Sequence, residues 1–234
     1  MVESRDPGPS LRAAPFGTGV QKVVRLLSAR QRSQIGNMAT CVRVPARTLV
    51  CREGASAHAV FIVETGAAKM FRDLPSGKRR VTAFLFPDDV CGLAQHGQYV
   101  DTVQTITPVT LYRIPVATLA DIFRRDPELA VHFLCKVTHE LRGSLQHTVT
   151  VARRDAVGRV TMFLRMLEQN DIRAGSRIWT PMSRSDVASY LGLSLEAVSR
   201  ALGSLHRSRI IALEGRHEIQ IVDRLRFERM AAAL

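Results

Sequence analysis

Leu195, Glu196, Ser199 and Arg200 occur at i, i+1, i+4 and i+5, a spacing that places them close together near the start of one helix. As a set they can address the edges of base pairs. Arg200 can donate two hydrogen bonds to guanine O6 and N7, Glu196 can accept one from a cytosine or adenine amino group, and Leu195 can touch a thymine methyl. Ser199 can serve a base or a nearby phosphate. Such chemistry requires a frame that holds the four side chains clear of their own core.

The flanking residues supply that frame. Val187, Leu191, Val198, Leu202 and Leu205 follow helical spacing and predict one buried seam shared by two helices. Gly192-Leu193-Ser194 breaks the periodicity where the chain must change direction. Ser183 is placed to cap the first helix, with Asp186 at the capping-box position, and Ser194 is placed to cap the second. Residues 183–207 therefore read as a helix-turn-helix. Leu195, Glu196, Ser199 and Arg200 are its base-reading candidates, and Ser183, Arg184, Ser185 and Ser194 are candidates for DNA backbone contacts, which set register but not sequence. Spacing alone also fits an ordinary helix hairpin inside a larger helical protein and does not itself establish DNA binding.

The formal net charge of +12, from 33 basic and 21 acidic residues, favours a polyanionic partner. The surplus is divided between both halves of the chain, so charge supports nucleic-acid binding without locating it. With 234 residues, 46% of them hydrophobic, the chain can bury sizeable cores. It contains no apolar run long enough to span a membrane. Its first residues lack the apolar core of a secretion signal, which predicts a cytoplasmic protein. Cys41, Cys51, Cys91 and Cys135 form neither a C-x-x-C pair nor a compact Cys/His cluster, so four reduced, mostly buried thiols are expected, with no zinc or iron–sulfur site. His132, Cys135 and His139 share one predicted helix but carry little weight as ligands. No Cys–His–acid spacing recommends an enzyme.

The chain divides into four stretches. Residues 1–20, rich in Pro, Gly, Ser and Arg, predict a mobile N-terminal segment. Residues 21–126 predict a β-roll with flanking helices: a weak helix over 21–38, then short strands from Cys41 to Pro115, punctuated by Glu53-Gly54, Glu64-Thr65-Gly66, Pro75-Ser76-Gly77 and Pro87 to Gly92. One run is expected from Val103 to Ile114. Residues 127–153 predict a long helix whose apolar stripe of Leu134, Val137, Leu141, Leu145, Thr148 and Val151 suits pairing with an identical helix in a homodimer. Packing against the chain's own roll fits the same stripe. Residues 154–234 predict a winged helix-turn-helix: a helix over 155–169, a strand carrying Trp179 with core packing as its role, the two reading helices, a hairpin around Glu214-Gly215-Arg216-His217, and a short terminal helix. The fold class is α+β.

The order of β-roll, long helix and winged helix-turn-helix, carried by Glu53-Gly54, Phe61 to Gly66, Phe86 to Gly92 and above all Asp186 to Arg200, resembles the Crp/Fnr superfamily of bacterial transcription regulators. The cyclic-AMP receptor branch has arginine immediately before the glutamate and glycine where Ser199 stands. With Leu195 and Ser199 in those places, the reading head is most similar to FixK-type regulators of rhizobia and related bacteria. The resemblance implies homodimers that bind palindromic TTGAT-N4-ATCAA-like promoter sites, mainly as activators of genes for microaerobic respiration and nitrogen fixation. It also implies RNA polymerase as a partner, for which the Arg72 to Arg80 loop offers an exposed surface; a merely solvated basic turn fits the same residues.

A cyclic-nucleotide site would need a glutamate soon after the glycine of the phosphate loop, and an arginine. Gly92 is followed instead by Leu93-Ala94-Gln95-His96, and the stretch from Tyr99 to Val103 offers Asp101 but no arginine. A buried phosphate would lack its cation. The N-terminal cysteine cluster of the iron–sulfur sensors is missing from residues 1–40. The FixK resemblance implies no bound cofactor, leaving control to expression, thiol chemistry or turnover, the last through the apolar tail Met230 to Leu234. The alternative is a receptor of the same superfamily, gated by haem or a small molecule in the β-roll.

Overall fold

A computed structural model describes residues 39–152, 155–170 and 177–232. The expected lead-in over 1–20, the helix over 21–38 and the last two tail residues, Ala233 and Leu234, lie outside the described residues.

Short apolar runs between turn signals give ten strands: β1 (Thr40–Val44), β2 (Leu49–Cys51), β3 (Ala59–Thr65), β4 (Ala68–Asp73), β5 (Arg79–Leu85), β6 (Val90–Cys91), β7 (Ala94–Gln95), β8 (Gln98–Tyr99), β9 (Thr102–Thr105) and β10 (Val109–Pro115). They build two four-stranded sheets, ordered β1-β10-β3-β6 and β2-β9-β4-β5, with β7-β8 as a separate hairpin. Cys51, Phe61, Val63, Leu85, Val103 and Leu111 from both sheets pack as one cluster with Tyr99 of the hairpin. The other face of the first sheet carries Val60, Ile62, Val90 and Ile114, covered by Ile122 of α1 (Val116–Arg125) and by Leu129 and Phe133 of α2 (Pro127–Ala152). With both faces buried, β3 reads as the unbroken apolar run Ala59–Val63 rather than as alternation. Gly66 closes the next turn at φ +90°, where a Cβ would meet the Pro108 carbonyl oxygen at 2.3 Å.

The roll differs from expectation in two places. The Pro87 to Gly92 break contains β6, and β7-β8 follows it. The run expected from Val103 to Ile114 is two strands, because the chain passes from the second sheet (β9) to the first (β10) through Pro108, which has no N–H for a ladder. After Pro115 the chain forms α1 and then α2, the two separated at Asp126. Pro127 disfavours helical backbone there, and the Asp126 carboxylate accepts from the Leu129 N–H at 3.0 Å to cap α2.

The stripe on α2 separates into two faces. Leu134, Leu141 and Leu145 remain 65%, 59% and 60% exposed, accompanied by Val131, Val149 and Thr148. Val137 does not share that surface: it is half-buried and packs on the cluster of the first sheet. Val151 is also half-buried.

The remaining elements are α3 (Ala156–Asn170), β11 (Arg177–Trp179), α4 (Arg184–Leu191), α5 (Leu195–Arg207), β12 (Ile211–Glu214), β13 (Glu218–Ile221) and α6 (Arg224–Ala232). A sheet ordered β11-β13-β12 forms the wing, turning at Gly215 with φ +64°. The expected seam of Val187, Leu191, Val198, Leu202 and Leu205 is buried with Phe163, Leu164 and Leu167 of α3 and Phe227 of α6. That cluster continues into Phe71, Val81, Phe84 and Phe86 of the roll, so the reading unit and the second sheet share one apolar core. Trp179 is half-buried and meets Phe86 edge-on, with ring centroids 6.5 Å apart.

Candidate nucleic-acid interface

The turn between α4 and α5 is made by local chemistry. Ser183 Oγ accepts from the Asp186 N–H at 3.1 Å and donates to the Asp186 carboxylate at 2.7 Å. Gly192 ends α4 in the left-handed region, at φ 64°. Ser194 Oγ then accepts from the Ala197 N–H at 3.1 Å to open α5. Caps of this kind contribute about 0.5–2 kcal/mol each.

Leu195, Glu196 and Arg200 are exposed on α5, while Val198, Ala201, Leu202 and Leu205 of the same helix are buried. Ser199 is half-buried and accepts from Arg184 Nη1 at 3.4 Å, so one of the expected backbone-contact residues reaches across to the recognition helix. Ser183, Arg184, Ser185 and Ser194 are all exposed around the start of the two helices. Hydrogen bonds from its own backbone N–H and from Ser194, with Arg200 nearby, hold the Glu196 carboxyl below the usual carboxylate range. At neutral pH it is an acceptor. The four base-reading candidates are thus brought together on the first turns of one helix, with hydrogen-bond donors and acceptors beside an apolar contact.

The reading unit is seated on the roll. Ser189 Oγ of α4 donates to the Arg79 carbonyl and accepts from the Val81 N–H, each at 2.9 Å. Lys69 of β4 pairs with Asp186 at 2.5 Å. Phe84 packs on Tyr190 and Phe163 with centroids 5.2 and 5.8 Å away. At the end of α4, Arg159 donates to the Leu191 and Gly192 carbonyls at 3.1 and 3.3 Å, where a cation complements the helix dipole. Lys69, Ser189 and His147 were not singled out by the sequence, since a lone polar residue on a helix or strand carries no signal of its distant partner.

His147 joins the long helix to the reading unit. Its ring stacks on Tyr190 with centroids 3.9 Å apart, and its Nε2 lies 2.8 Å from the Tyr190 carbonyl. Burial, reinforced by Arg80, lowers its pKa below the ordinary 6.5, although the bond to Tyr190 opposes the shift. The unfolded chain therefore takes up this proton at a higher pH than the folded protein does. The linked stability is present above pH about 6.5 and is lost as pH falls until the folded ring also protonates. The urea midpoint is expected to drop between pH 7.5 and 5.5, and His147→Gln, which can still donate to Tyr190, should remove part of that drop. An identical pH dependence in both proteins would contradict the assignment.

The interior of the roll is packed with its own side chains. Tyr99 occupies its core cluster, its hydroxyl donating to the Ala59 carbonyl at 3.1 Å. The β7-β8 hairpin after Gly92 brings no acidic or basic side chain apart from His96. Asp101 is paired with an arginine that the linear spacing hid: Arg72 of β4, at 2.9 Å. Of the expected exposed loop from Arg72 to Arg80, Asp73 to Arg79 are exposed and the two end residues, Arg72 and Arg80, are half-buried. Arg79 lies over the Phe71 ring at 3.7 Å and pairs with Asp73 at 3.0 Å.

The cysteines divide evenly, correcting the expectation that most are buried: Cys51 and Cys91 are buried, whereas Cys41 and Cys135 are exposed. Burial pushes the Cys51 thiol up to about 11, which suppresses its thiolate. No helix among the described residues is long and apolar enough to cross a membrane.

Comparison with known proteins covers both parts of the chain. Residues 41–126 match the cyclic nucleotide-binding domain family, and residues 158–230 match the Crp-like helix-turn-helix domain family. The nitrogen fixation regulation protein FixK of Bradyrhizobium diazoefficiens is 31% identical over 173 residues, 72% of each chain. The transcriptional activatory protein AadR of Rhodopseudomonas palustris is 26% identical over 214 residues, covering 88% of this chain and 87% of AadR. The solved structure of FixK2 from Bradyrhizobium japonicum superposes with a TM-score of 0.78 at 30% identity, over 84% of this chain and 98% of that one.

Proposed function

The chain belongs to the Crp/Fnr family of DNA-binding transcription regulators, in its FixK-type branch, and from that premise we propose that it acts as a homodimeric activator at palindromic TTGAT-N4-ATCAA-like promoter sites. It controls genes of microaerobic or anaerobic respiration or of nitrogen fixation, and it binds DNA without a resident effector.

The observation that carries this reading is the set of exposed Leu195, Glu196 and Arg200 with half-buried Ser199 on a helix already capped and packed within the single chain. Arg200 reads guanine, Glu196 an exocyclic amino group and Leu195 a thymine methyl. Ser183, Arg184, Ser185 and Ser194 hold the phosphate backbone. The exposed stripe on α2 supports a second copy as partner, since a symmetric site needs two heads. The filled roll interior supports independence from a nucleotide, and the names of the FixK and AadR relatives support activation and the gene class. The Arg72 to Arg80 loop, exposed from Asp73 to Arg79, is the surface offered to RNA polymerase.

A fluorescence-anisotropy titration on a TTGAT-N4-ATCAA duplex tests the reading, run without additives at fixed salt because phosphate contacts make affinity strongly salt-dependent. Changing one G·C pair is expected to weaken binding by about 1–3 kcal/mol. Equal affinity for both duplexes would reject sequence-specific reading. Binding that appears only on adding haem or another small molecule would instead establish the ligand-gated receptor.

A further inference from the structure

We propose that the β-roll serves as a rigid mount for the reading head, with Ser189 and the Lys69–Asp186 pair as positioning residues that set the angle at which the recognition helix meets DNA. The inference rests on the dimeric, palindrome-reading function proposed above.

Strand β5 lies at the edge of its sheet, so every second residue leaves a backbone N–H and C=O without a strand partner. Arg79 and Val81, two residues apart, turn such groups to the same side. The Ser189 hydroxyl satisfies both at once, donating to the Arg79 carbonyl and accepting from the Val81 N–H at 2.9 Å. A hydroxyl is one of the few side-chain groups able to do both from a single atom. Val81 is 1% exposed, so its N–H has little access to water as a substitute partner. The bond fixes α4 along the strand edge as an additional strand would, but through one side chain.

Lys69 controls the other end of α4. It pairs with Asp186 where both side chains are largely shielded, at 14% and 18% exposure. The same carboxylate accepts from Ser183, the cap of α4. One carboxylate therefore joins the start of the head to the roll. Ser189 lies nearly one turn further along the helix, and two anchors on one rigid element restrain its rotation as well as its position. Tyr190, held between Phe84 of the roll and His147 of α2, ties this orientation to the helix that carries the exposed apolar stripe.

None of these contacts involves Leu195, Glu196, Ser199 or Arg200. The mount accordingly leaves base chemistry alone and governs geometry between heads. In a dimer the two recognition helices must enter major grooves about 34 Å apart. A fixed mount makes affinity depend sharply on the spacer between half-sites; a loosened head tolerates several spacers at lower effective concentration.

The test compares full-length wild type, Ser189→Ala, Lys69→Gln and Lys69→Arg on duplexes with N3, N4 and N5 spacers, and on a duplex carrying a single half-site. Wild type is expected to favour N4. Both Ser189→Ala and Lys69→Gln should shrink the N4-to-N5 affinity ratio by about tenfold, with half-site affinity within about twofold of wild type, while Lys69→Arg retains the discrimination. An unchanged ratio in both variants overturns the mount. So does a parallel loss on palindrome and half-site, which would mean only a less stable head. If wild type binds the palindrome no better than the half-site, the palindromic reading itself fails, and the inference falls with it.

Discussion

A protein carrying Leu141→Asp and Leu145→Asp together is expected to remain folded, to sediment as a monomer at micromolar concentration, and to bind the palindromic duplex about 10²-fold or more weakly than wild type. Both side chains are about three-fifths exposed in the single chain, so the substitutions create no cavity within it. In a dimer each would face a second copy. Burying a leucine contributes about 1.5–3 kcal/mol, and two per protomer act twice across a two-fold axis. With each side chain only about three-fifths exposed beforehand, a loss of about 4–7 kcal/mol is a third to a half or more of the free energy of a nanomolar dimer, about 12 kcal/mol, before the repulsion of the introduced carboxylates is counted. Without the partner the second head no longer binds as an intramolecular event, which accounts for the expected fall on DNA. Sedimentation velocity and far-UV circular dichroism separate dissociation from unfolding. A dimer with undiminished DNA affinity would place the subunit contact elsewhere. The same change at Val137 should act differently, because that side chain packs on the roll: it should destabilise the fold.

The contrast between Leu141 and Val137 marks where sequence periodicity stops being informative. Both lie in an apolar arc with spacings of three and four, and a helix that covers its own roll while offering a second face has members of both faces in that arc. The reading unit was more legible. Its seam, the Gly192 turn and the Ser183 and Ser194 caps all depend on residues within a few positions of one another. The β-roll as a class was legible from its turns, yet its pairing was not. Strand β10 lies between β1 and β3, and β9 between β2 and β4, partners remote in sequence that leave no local mark. Strands as short as β7 and β8 have no period to detect. The mount was hidden for a related reason. Ser189 resembles any solvent-facing residue of a short helix until the edge of β5, 110 residues away, is placed beside it.

Arg200→Ala and Arg184→Ala should separate the two kinds of DNA contact that the head offers. Arg200 is exposed on the recognition helix beside Glu196 and Leu195. Its removal is expected to cost about 1–3 kcal/mol on the specific duplex, or roughly 5- to 150-fold. Random DNA, which offers no matched guanine, should register little beyond the loss of one charge. Arg184 stands at the start of α4. As a phosphate contact it should weaken specific and random duplexes alike and reduce the salt-dependence slope by about one. Its 3.4 Å bond to Ser199 sharpens the comparison. If that bond presets Ser199 for a base, Arg184→Ala will also relax discrimination at one position of the half-site, and Ser199→Ala will reproduce the relaxation without changing the salt slope. Parallel anisotropy titrations at several salt concentrations distinguish these outcomes. An Arg200→Ala loss of equal size on specific and random DNA would reassign Arg200 to the backbone and leave Glu196 and Leu195 to carry base recognition, which a single carboxylate and one apolar contact are poorly equipped to do.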